Sequence, residues 1–238
     1  MVTILRKPAA RFYLLAAGVL FIATYYSAHA FINVRAEEPR AAAGEPTSIQ
    51  LWQDLLEGNR RFMRGAIPPR SVLSRREELA KGQHPKIAIL GCADSRVAPE
   101  LIFDKSLGDL FVVRTAGNVA DPIALGSLEY AVEHLKVHTL LVLGHEKCGA
   151  VAAAASGEKM PTVNLTAIVN KISPALKGME PVAEPGELAT RQVEANIHLC
   201  AKNLAAESPV LHHAVETGTL TILKGIYKLT TGEVRKLQ

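Results

Sequence analysis

Three residues whose side chains are common zinc ligands follow two predicted strands. Cys92 comes directly after the apolar run Lys86–Gly91. His145 and Cys148 come at the end of a second such run, Thr139–Gly144. Short apolar runs of this kind are typical of parallel strands buried on both faces, and sites in open α/β sheets form beyond the carboxyl ends of neighbouring strands. If the two strands are neighbours, two thiolates and an imidazole converge and leave one tetrahedral position of a zinc ion open for a reactant.

Each of these residue types alone is weak evidence for a metal. A cysteine after a core strand is usually a small buried hydrophobe, and His-x-x-Cys by itself is not specific. A thiol-based redox or sulfur-transfer enzyme would need only one of the two cysteines, as a nucleophile. The third cysteine, Cys200, lies on an apolar helical stripe and is predicted to be core. The odd cysteine count argues against a disulfide framework.

Asp94 and Arg96 stand directly beyond Cys92. A carboxylate beside a dication could bind the metal or accept a hydrogen bond from water bound to it. An arginine two residues away is a bidentate partner that would keep Asp94 ionised and oriented. A local salt bridge that finishes a turn is the alternative, but the proximity of Cys92 favours a functional pair.

Alternating strands and helices predict the fold class. Two further strands are predicted at Leu110–Arg114 and Leu220–Tyr227, the latter followed by a turn and an edge strand at Thr231-Gly232. The strands alternate with predicted helices, which implies an α/β fold with a mostly parallel central sheet of four to five strands. Helices are predicted at Thr47–Phe62 (an N-terminal helical arm), near Arg75–Lys81, and at Asp121–Lys136, Ala150–Ala155, Val163–Leu176 and Glu187–Glu207.

The N-terminal 30 residues resemble an export signal. Arg6, Lys7 and Arg11 precede or border an apolar run, and Ala28-x-Ala30 has the spacing that signal peptidase accepts. We therefore predict a signal peptide at 1–30, a flexible tether at 31–46 and a catalytic domain at 47–238, in a periplasmic protein. Two alternatives remain open. The N-terminal segment could stay uncleaved as an anchor facing the periplasm, which would make the membrane a partner, or the protein could be located in an organellar lumen.

The net charge excludes a basic protein that binds nucleic acid. The whole chain of 238 residues carries a formal charge of +4, but removal of the three basic residues of the predicted signal leaves 24 basic and 23 acidic residues. No aromatic–basic interleaving is present. With 48% hydrophobic and 21% charged residues, the chain has the composition of an ordinary globular domain.

Two ordered segments resemble those of a known family. Cys92-Ala-Asp-Ser-Arg-Val97 together with Gly144-His145-x-x-Cys148-Gly-Ala150 is similar to the motifs of β-class carbonic anhydrases. The similarity runs from Leu51 to the C-terminus. It includes Leu56–Phe62, Gly108–Arg114, Ala116-Gly-Asn118, Leu128–Val132 and Tyr227 with Thr231-Gly232.

This resemblance implies the function and the roles of the site residues. It implies one Zn²⁺ per chain on Cys92, His145 and Cys148, with the Asp94–Arg96 pair at the fourth position, and reversible hydration of CO2 to bicarbonate and a proton by hydroxide generated at zinc. Gln83 matches the active-site glutamine, and Phe111 and Tyr130 match residues of the apolar CO2 pocket, which extends across a dimer interface. The resemblance also implies a homodimer or a dimer of dimers, in which the N-terminal arm embraces the partner.

Two positions depart from the family pattern, and two other functions remain open. Glu146 stands where Ser or Thr is usual, and Ile89 replaces the Trp of a non-catalytic bicarbonate site, although Arg114 is retained. A carbon disulfide or carbonyl sulfide hydrolase on the same scaffold is one alternative. A non-catalytic zinc protein is the other, but it would have no use for Asp94 and Gln83.

Overall fold

The computed structural model describes residues 44–69, 72–180 and 184–238. The predicted signal peptide and most of the predicted tether lie outside these residues. Among the helices of the described part, none has both the length and the apolar character that a membrane span requires.

A five-stranded sheet forms the centre of the described chain. The strands are β1 (Ile87–Cys92), β2 (Leu110–Thr115), β3 (Thr139–His145), β4 (Thr221–Tyr227) and β5 (Val234–Lys236). Their spatial order is β2-β1-β3-β4-β5, with β5 antiparallel to β4 and the other pairs parallel. The predicted α/β class with a mostly parallel sheet is therefore confirmed.

Eight α-helices and one 3₁₀ turn are present in the described part of the chain. The helices are α1 (Ser48–Met63), α2 (Val72–Leu79), α3 (Pro99–Ile102), α4 (Pro122–Glu133), α5 (Gly149–Ser156), α6 (Val163–Leu176), α7 (Pro185–Glu207) and α8 (Pro209–Glu216), and the 3₁₀ turn is Ala116–Asn118. Thr47 and Gln50 form the expected capping box of α1. Helix α4 ends three residues earlier than predicted, and Lys136 adopts a left-handed backbone conformation with φ of 57°.

The sheet is buried on both faces because its side chains alternate between two apolar layers. In β1, Ala88 and Leu90 face the layer formed with α4 to α8, whereas Ile87 and Ile89 face the layer formed with α1 and α3. All six residues of β1 and all seven of β3 are buried. This explains why both strands appear in the sequence as continuous apolar runs.

Helix α1 packs against the sheet of its own chain. Leu55 is completely buried in the layer that includes Ile89. A Cβ on Gly58 would lie 1.8 Å from the carbonyl oxygen of Phe103, so only glycine permits this approach. The buried Asn59 accepts a hydrogen bond from the backbone N–H of Val234 at 2.9 Å. The predicted embrace of a partner by this helix stays a prediction.

Candidate metal centre

The sheet topology brings the predicted ligands together. Strands β1 and β3 are parallel neighbours, and the chain continues from β1 to β2 on one side and to β3 on the other. The order of strands therefore reverses between β1 and β3, which is where sites form in open α/β sheets. Cys92 is the last residue of β1, His145 is the last of β3, and Cys148 is the N-cap of α5.

The three side chains form one buried cluster. The ligand atoms of Cys92, His145 and Cys148 all lie within 4.8 Å of one another, and the two sulfur atoms are 4.0 Å apart. The exposed fractions of the three residues are 5%, 0% and 3%. Tetrahedral zinc with Zn–S bonds of about 2.3 Å requires a sulfur–sulfur distance of about 3.8 Å. The arrangement needs little adjustment to hold the ion.

The imidazole of His145 is oriented for metal binding. Its Nδ1 lies 2.8 Å from the carbonyl oxygen of Glu146, so Nδ1 carries the hydrogen and donates it. This tautomer leaves the lone pair on Nε2, which is buried and has no hydrogen-bond partner. A buried nitrogen without a partner is costly, and a cation in the cluster would satisfy it. The donor set of two sulfurs and one nitrogen suits zinc.

The surroundings favour a thiolate at Cys92 and a thiol at Cys148. The pKa of Cys92 is lowered to about 4 because its sulfur accepts hydrogen bonds from the Cys148 thiol and from the backbone N–H groups of Asp94 and Gly117, although burial opposes the shift. The Gly117 N–H lies 3.3 Å from this sulfur. The neighbouring Cys92 thiolate and burial raise the pKa of Cys148, while backbone N–H groups at the start of α5 lower it. A dication bound between them would deprotonate the second thiol as well.

Asp94 and Arg96 form a bidentate ion pair beside the cluster. Arg96 donates from Nε to Oδ1 of Asp94 at 2.9 Å and from Nη2 to Oδ2 at 2.7 Å, and its backbone N–H adds a third bond. These bonds hold the pKa of the Asp94 carboxyl well below its usual range. Oδ2 lies 3.8 Å from Nε2 of His145, so the ionised carboxylate borders the cluster without belonging to it.

Arg114 fixes the backbone of the loop that carries Cys92 and Asp94. Its Nε donates to the carbonyl oxygen of Cys92 at 2.9 Å, and its Nη2 donates to that of Asp94 at 2.6 Å. Sequence reasoning connected Arg114 only with a non-catalytic anion site. Its position one strand away, opposite Gly91 in the register, is the signal that could have indicated this role.

The residues predicted to bind substrate lie elsewhere in the same chain. Gln83 is exposed and stands four residues before the first residue of β1, whereas Cys92 is the last residue of that strand. Phe111 pairs with Ala88 in the first half of β1. The ring of Tyr130, 45% exposed, lies 6.3 Å from that of Phe111. Within one chain Phe111 and Tyr130 therefore lie together, toward the end of the strands opposite the metal ligands.

Comparison with known proteins identifies the family. Residues 87–234 match the family model described as carbonic anhydrase, and this range contains all three candidate ligands. The chain belongs to the β-carbonic anhydrase family. Carbonic anhydrase 2 of Mycobacterium tuberculosis is 40% identical over 190 residues, which cover 77% of this chain and 90% of that protein.

Solved structures of β-carbonic anhydrases share the fold. The enzyme of Coccomyxa in complex with acetazolamide has a TM-score of 0.64 and 29% identity, covering 77% of this chain and 84% of that one. One of two tetrameric enzymes of Sordaria macrospora has a TM-score of 0.63 and 27% identity, covering 68% and 85%. The family and enzyme class predicted from the two motifs are confirmed.

Proposed function

We propose that this β-carbonic anhydrase is a zinc enzyme that catalyses the reversible reaction of CO2 and water to bicarbonate and a proton. The observation that carries the proposal is the buried convergence of Cys92, His145 and Cys148, with Nε2 of His145 left without a protein partner. These three residues would hold one zinc ion per chain. The named relatives are carbonic anhydrases, which supports CO2 as the substrate.

Zinc, when bound, lowers the pKa of water toward 7 and so makes a nucleophile available at neutral pH. The two thiolates of Cys92 and Cys148 would neutralise the two positive charges of the ion, and the imidazole of His145 would add none. The carbonyl oxygen of Glu146 keeps the His145 lone pair on Nε2. The loss of this hydrogen bond would allow the ring to turn away or take the other tautomer.

Asp94 accepts the hydrogen bond of the reacting water. Its Oδ2 is the carboxylate oxygen nearest to His145, and an ionised carboxylate has acceptor sites beyond those that Arg96 occupies. Once the water has lost one proton to the buffer, its remaining hydrogen would be donated to Asp94, which accepts and cannot donate, so that a lone pair would be free to attack CO2. Arg96 keeps the carboxylate ionised, and Arg114 fixes the carbonyl groups on either side of Ala93.

Stopped-flow CO2 hydration with the purified full chain, with zinc content measured on the same sample, tests this function. We expect about one zinc per chain and hydration that is lost in Cys148→Ser together with the metal. Zinc without CO2 hydration at neutral or alkaline pH would refute the proposal. Turnover of carbon disulfide or carbonyl sulfide by that sample would then identify the alternative hydrolase.

We also propose that a second copy of the chain completes each active site. Phe111 pairs with Ala88, four residues before the Thr115–Cys92 pair, and both Gln83 and Tyr130 are exposed in their own chain. Strand β2 has a strand neighbour on one side only among the described residues, and its apolar side chains are half-buried. Tetramers of the Sordaria enzyme support self-association. In a two-fold pair, the aromatic residues of one chain would line the CO2 pocket at the metal of the other.

Complementation between two inactive variants tests this proposal. One chain carries Asp94→Asn, and the other carries Gln83→Ala with Tyr130→Ala. Unfolding and refolding the two together produces mixed dimers, in which one of the two sites has all its residues intact. We expect about a quarter of the wild-type activity from random pairing in a symmetric dimer. Activity no higher than that of the separate variants would contradict a shared site.

We further propose that residues 1–30 direct export to the periplasm. The basic start, apolar run and Ala28-x-Ala30 of this segment support the proposal. N-terminal sequencing of the protein recovered from the periplasm of an expressing bacterium should begin at Phe31. An intact N-terminus in the membrane fraction would favour the uncleaved anchor, and recovery from the cytoplasm would contradict export.

A further inference from the structure

Helix α7 lies directly against the end of the strand that carries His145. A Cβ on Gly144 would lie 2.5 Å from Cδ1 of Ile197, so the absence of a side chain at Gly144 permits this close contact. Ile197 is completely buried. The helix therefore contacts the backbone immediately before one metal ligand.

The same helix also binds the 3₁₀ turn that follows β2. Asn196 donates from Nδ2 to the carbonyl oxygen of Gly117 at 2.9 Å, and the thiol of Cys200 donates to that of Asn118 at 3.0 Å. Asn196 and Cys200 are four residues apart and therefore share one face of α7. Both are buried, with exposed fractions of 2% and 6%. Burial raises the pKa of Cys200 to about 12, which keeps its thiol protonated as a donor.

Gly117 of this 3₁₀ turn contacts the metal ligand Cys92. The Gly117 N–H donates to Sγ of Cys92 at 3.3 Å. Gly117 has φ of 70°, and a Cβ there would lie 2.7 Å from Cδ1 of Ile172. The carbonyl groups held by α7 belong to the two peptide units that follow Gly117, so α7 restrains the chain directly after the residue whose N–H contacts Cys92.

We propose that Asn196 and Cys200 are positioning residues for the Cys92 thiolate, because they hold the Gly117 N–H against its sulfur. The inference rests on the proposed zinc site. A hydrogen bond to a thiolate withdraws electron density from the sulfur and fixes its position. Partners of this kind outside the ligands typically change metal affinity by about 10- to 100-fold.

Metal binding rather than activity gives the direct test. Zinc affinity is measured by competition with a chromophoric chelator, and the thiolate-to-metal absorption band is recorded after loading with Co²⁺. For Asn196→Leu we expect zinc affinity to fall by about 10- to 100-fold and the Co²⁺ band to move to longer wavelength, since a sulfur without its hydrogen bond gives up electrons more easily. Cys200→Ala should shift both in the same direction.

Two variants separate positioning from general loosening of the helix. Cys200→Ser keeps a donor at the same place and should restore the wild-type band and affinity. Leu204→Ala removes a completely buried side chain one turn further along α7, and should lower stability without moving the band. If Asn196→Leu does not fold, the Cys200→Ala and Cys200→Ser pair carries the test.

The outcomes distinguish this inference from the proposed function. If Asn196→Leu and Cys200→Ala have the same thiolate band and the same zinc affinity as the wild type, the positioning role is overturned and the zinc site is left intact. A band that moves equally in Leu204→Ala would also overturn it. The absence of any thiolate band in the wild-type protein loaded with Co²⁺ would overturn the proposed zinc site and this inference with it.

Discussion

Replacement of Gly117 by alanine should destabilise the protein through a clash that can be located. The alanine Cβ would lie 2.7 Å from Cδ1 of Ile172 and 3.0 Å from Cβ of Ala150. A side chain at a φ of 70° costs about 1–2 kcal/mol, and overpacking of a buried site costs about 1–3 kcal/mol. We therefore expect Gly117→Ala to lower the free energy of unfolding by about 2–5 kcal/mol.

The variant Ile172→Val removes the atom with which the new side chain would collide. Alone it should cost about 0.5–1.5 kcal/mol, because it deletes one buried methyl group. In the double variant the collision with Ile172 is relieved, although the close contact with Ala150 and the backbone strain remain. We expect the double variant to be more stable than the sum of the single effects predicts, by about 1–2 kcal/mol.

Urea unfolding of the metal-free protein, followed by circular dichroism in the presence of a chelator, measures all four proteins of this cycle. A chelator is needed because bound metal adds its own stabilisation. Single effects that add within about 0.5 kcal/mol would refute the contact between residue 117 and Ile172 as the origin of the loss. A Gly117→Ala protein as stable as the wild type would refute the requirement for glycine in this turn.

Three further predictions follow from other contacts. Burial raises the pKa of Cys200 to about 12 from 9.0, so the contribution of its thiol to the free energy of unfolding is complete below pH 9 and is lost as the pH rises toward 12, by up to about 1.4 kcal/mol per pH unit. Urea unfolding at neutral pH and at about pH 10 should show this loss in the wild type but not in Cys200→Ser, and equal losses in the two proteins would contradict the prediction. Gly58→Ala places a Cβ 1.8 Å from the backbone oxygen of Phe103, so the free energy of unfolding should fall by about 3 kcal/mol or more, and an unchanged urea midpoint would show that α1 does not pack there. Arg96→Gln removes the charge that holds the pKa of Asp94 low, so the acid limb of the pH profile of kcat/KM should move to higher pH, and an unmoved limb would separate Asp94 from the acid loss of activity.

The ligands could be predicted because local sequence determines their positions. Cys92 and His145 each end a strand that is buried on both faces, and such strands are visible as continuous apolar runs. Once the two strands are neighbours, the parallel register brings their ends together. The Asp94–Arg96 pair is equally local, since its bonds join residues two apart.

Contacts between distant segments could not be predicted in the same way. Asn196 stands between Val193 and Ile197 in an apolar stripe, and a buried amide must have a hydrogen-bond partner. That rule could have marked Asn196 as special, but the partner, Gly117, is 79 residues away. Cys200 was predicted as core and is buried, yet its bond to Asn118 depends on the same long-range packing.

Two helices were missed, the four-residue α3 and helix α8, although the signals of α8 are present. Ser208 caps α8 with its side chain, and Pro209 is the first helical residue, which is a common way for a helix to begin. The long helix α7 ends at Glu207, so the two segments are separated by a single residue. The end of one helix therefore obscured the start of the next.

The Asp94→Asn variant tests the central claim most directly, with zinc content and stopped-flow CO2 hydration measured on one sample. The substitution leaves Cys92, His145 and Cys148 in place but replaces an acceptor that cannot donate by an amide that can. We predict about one zinc per chain and hydration slowed by about 100-fold or more. Full zinc content with unchanged hydration would contradict the role of Asp94, and a wild-type protein that holds no zinc would contradict the metal site itself.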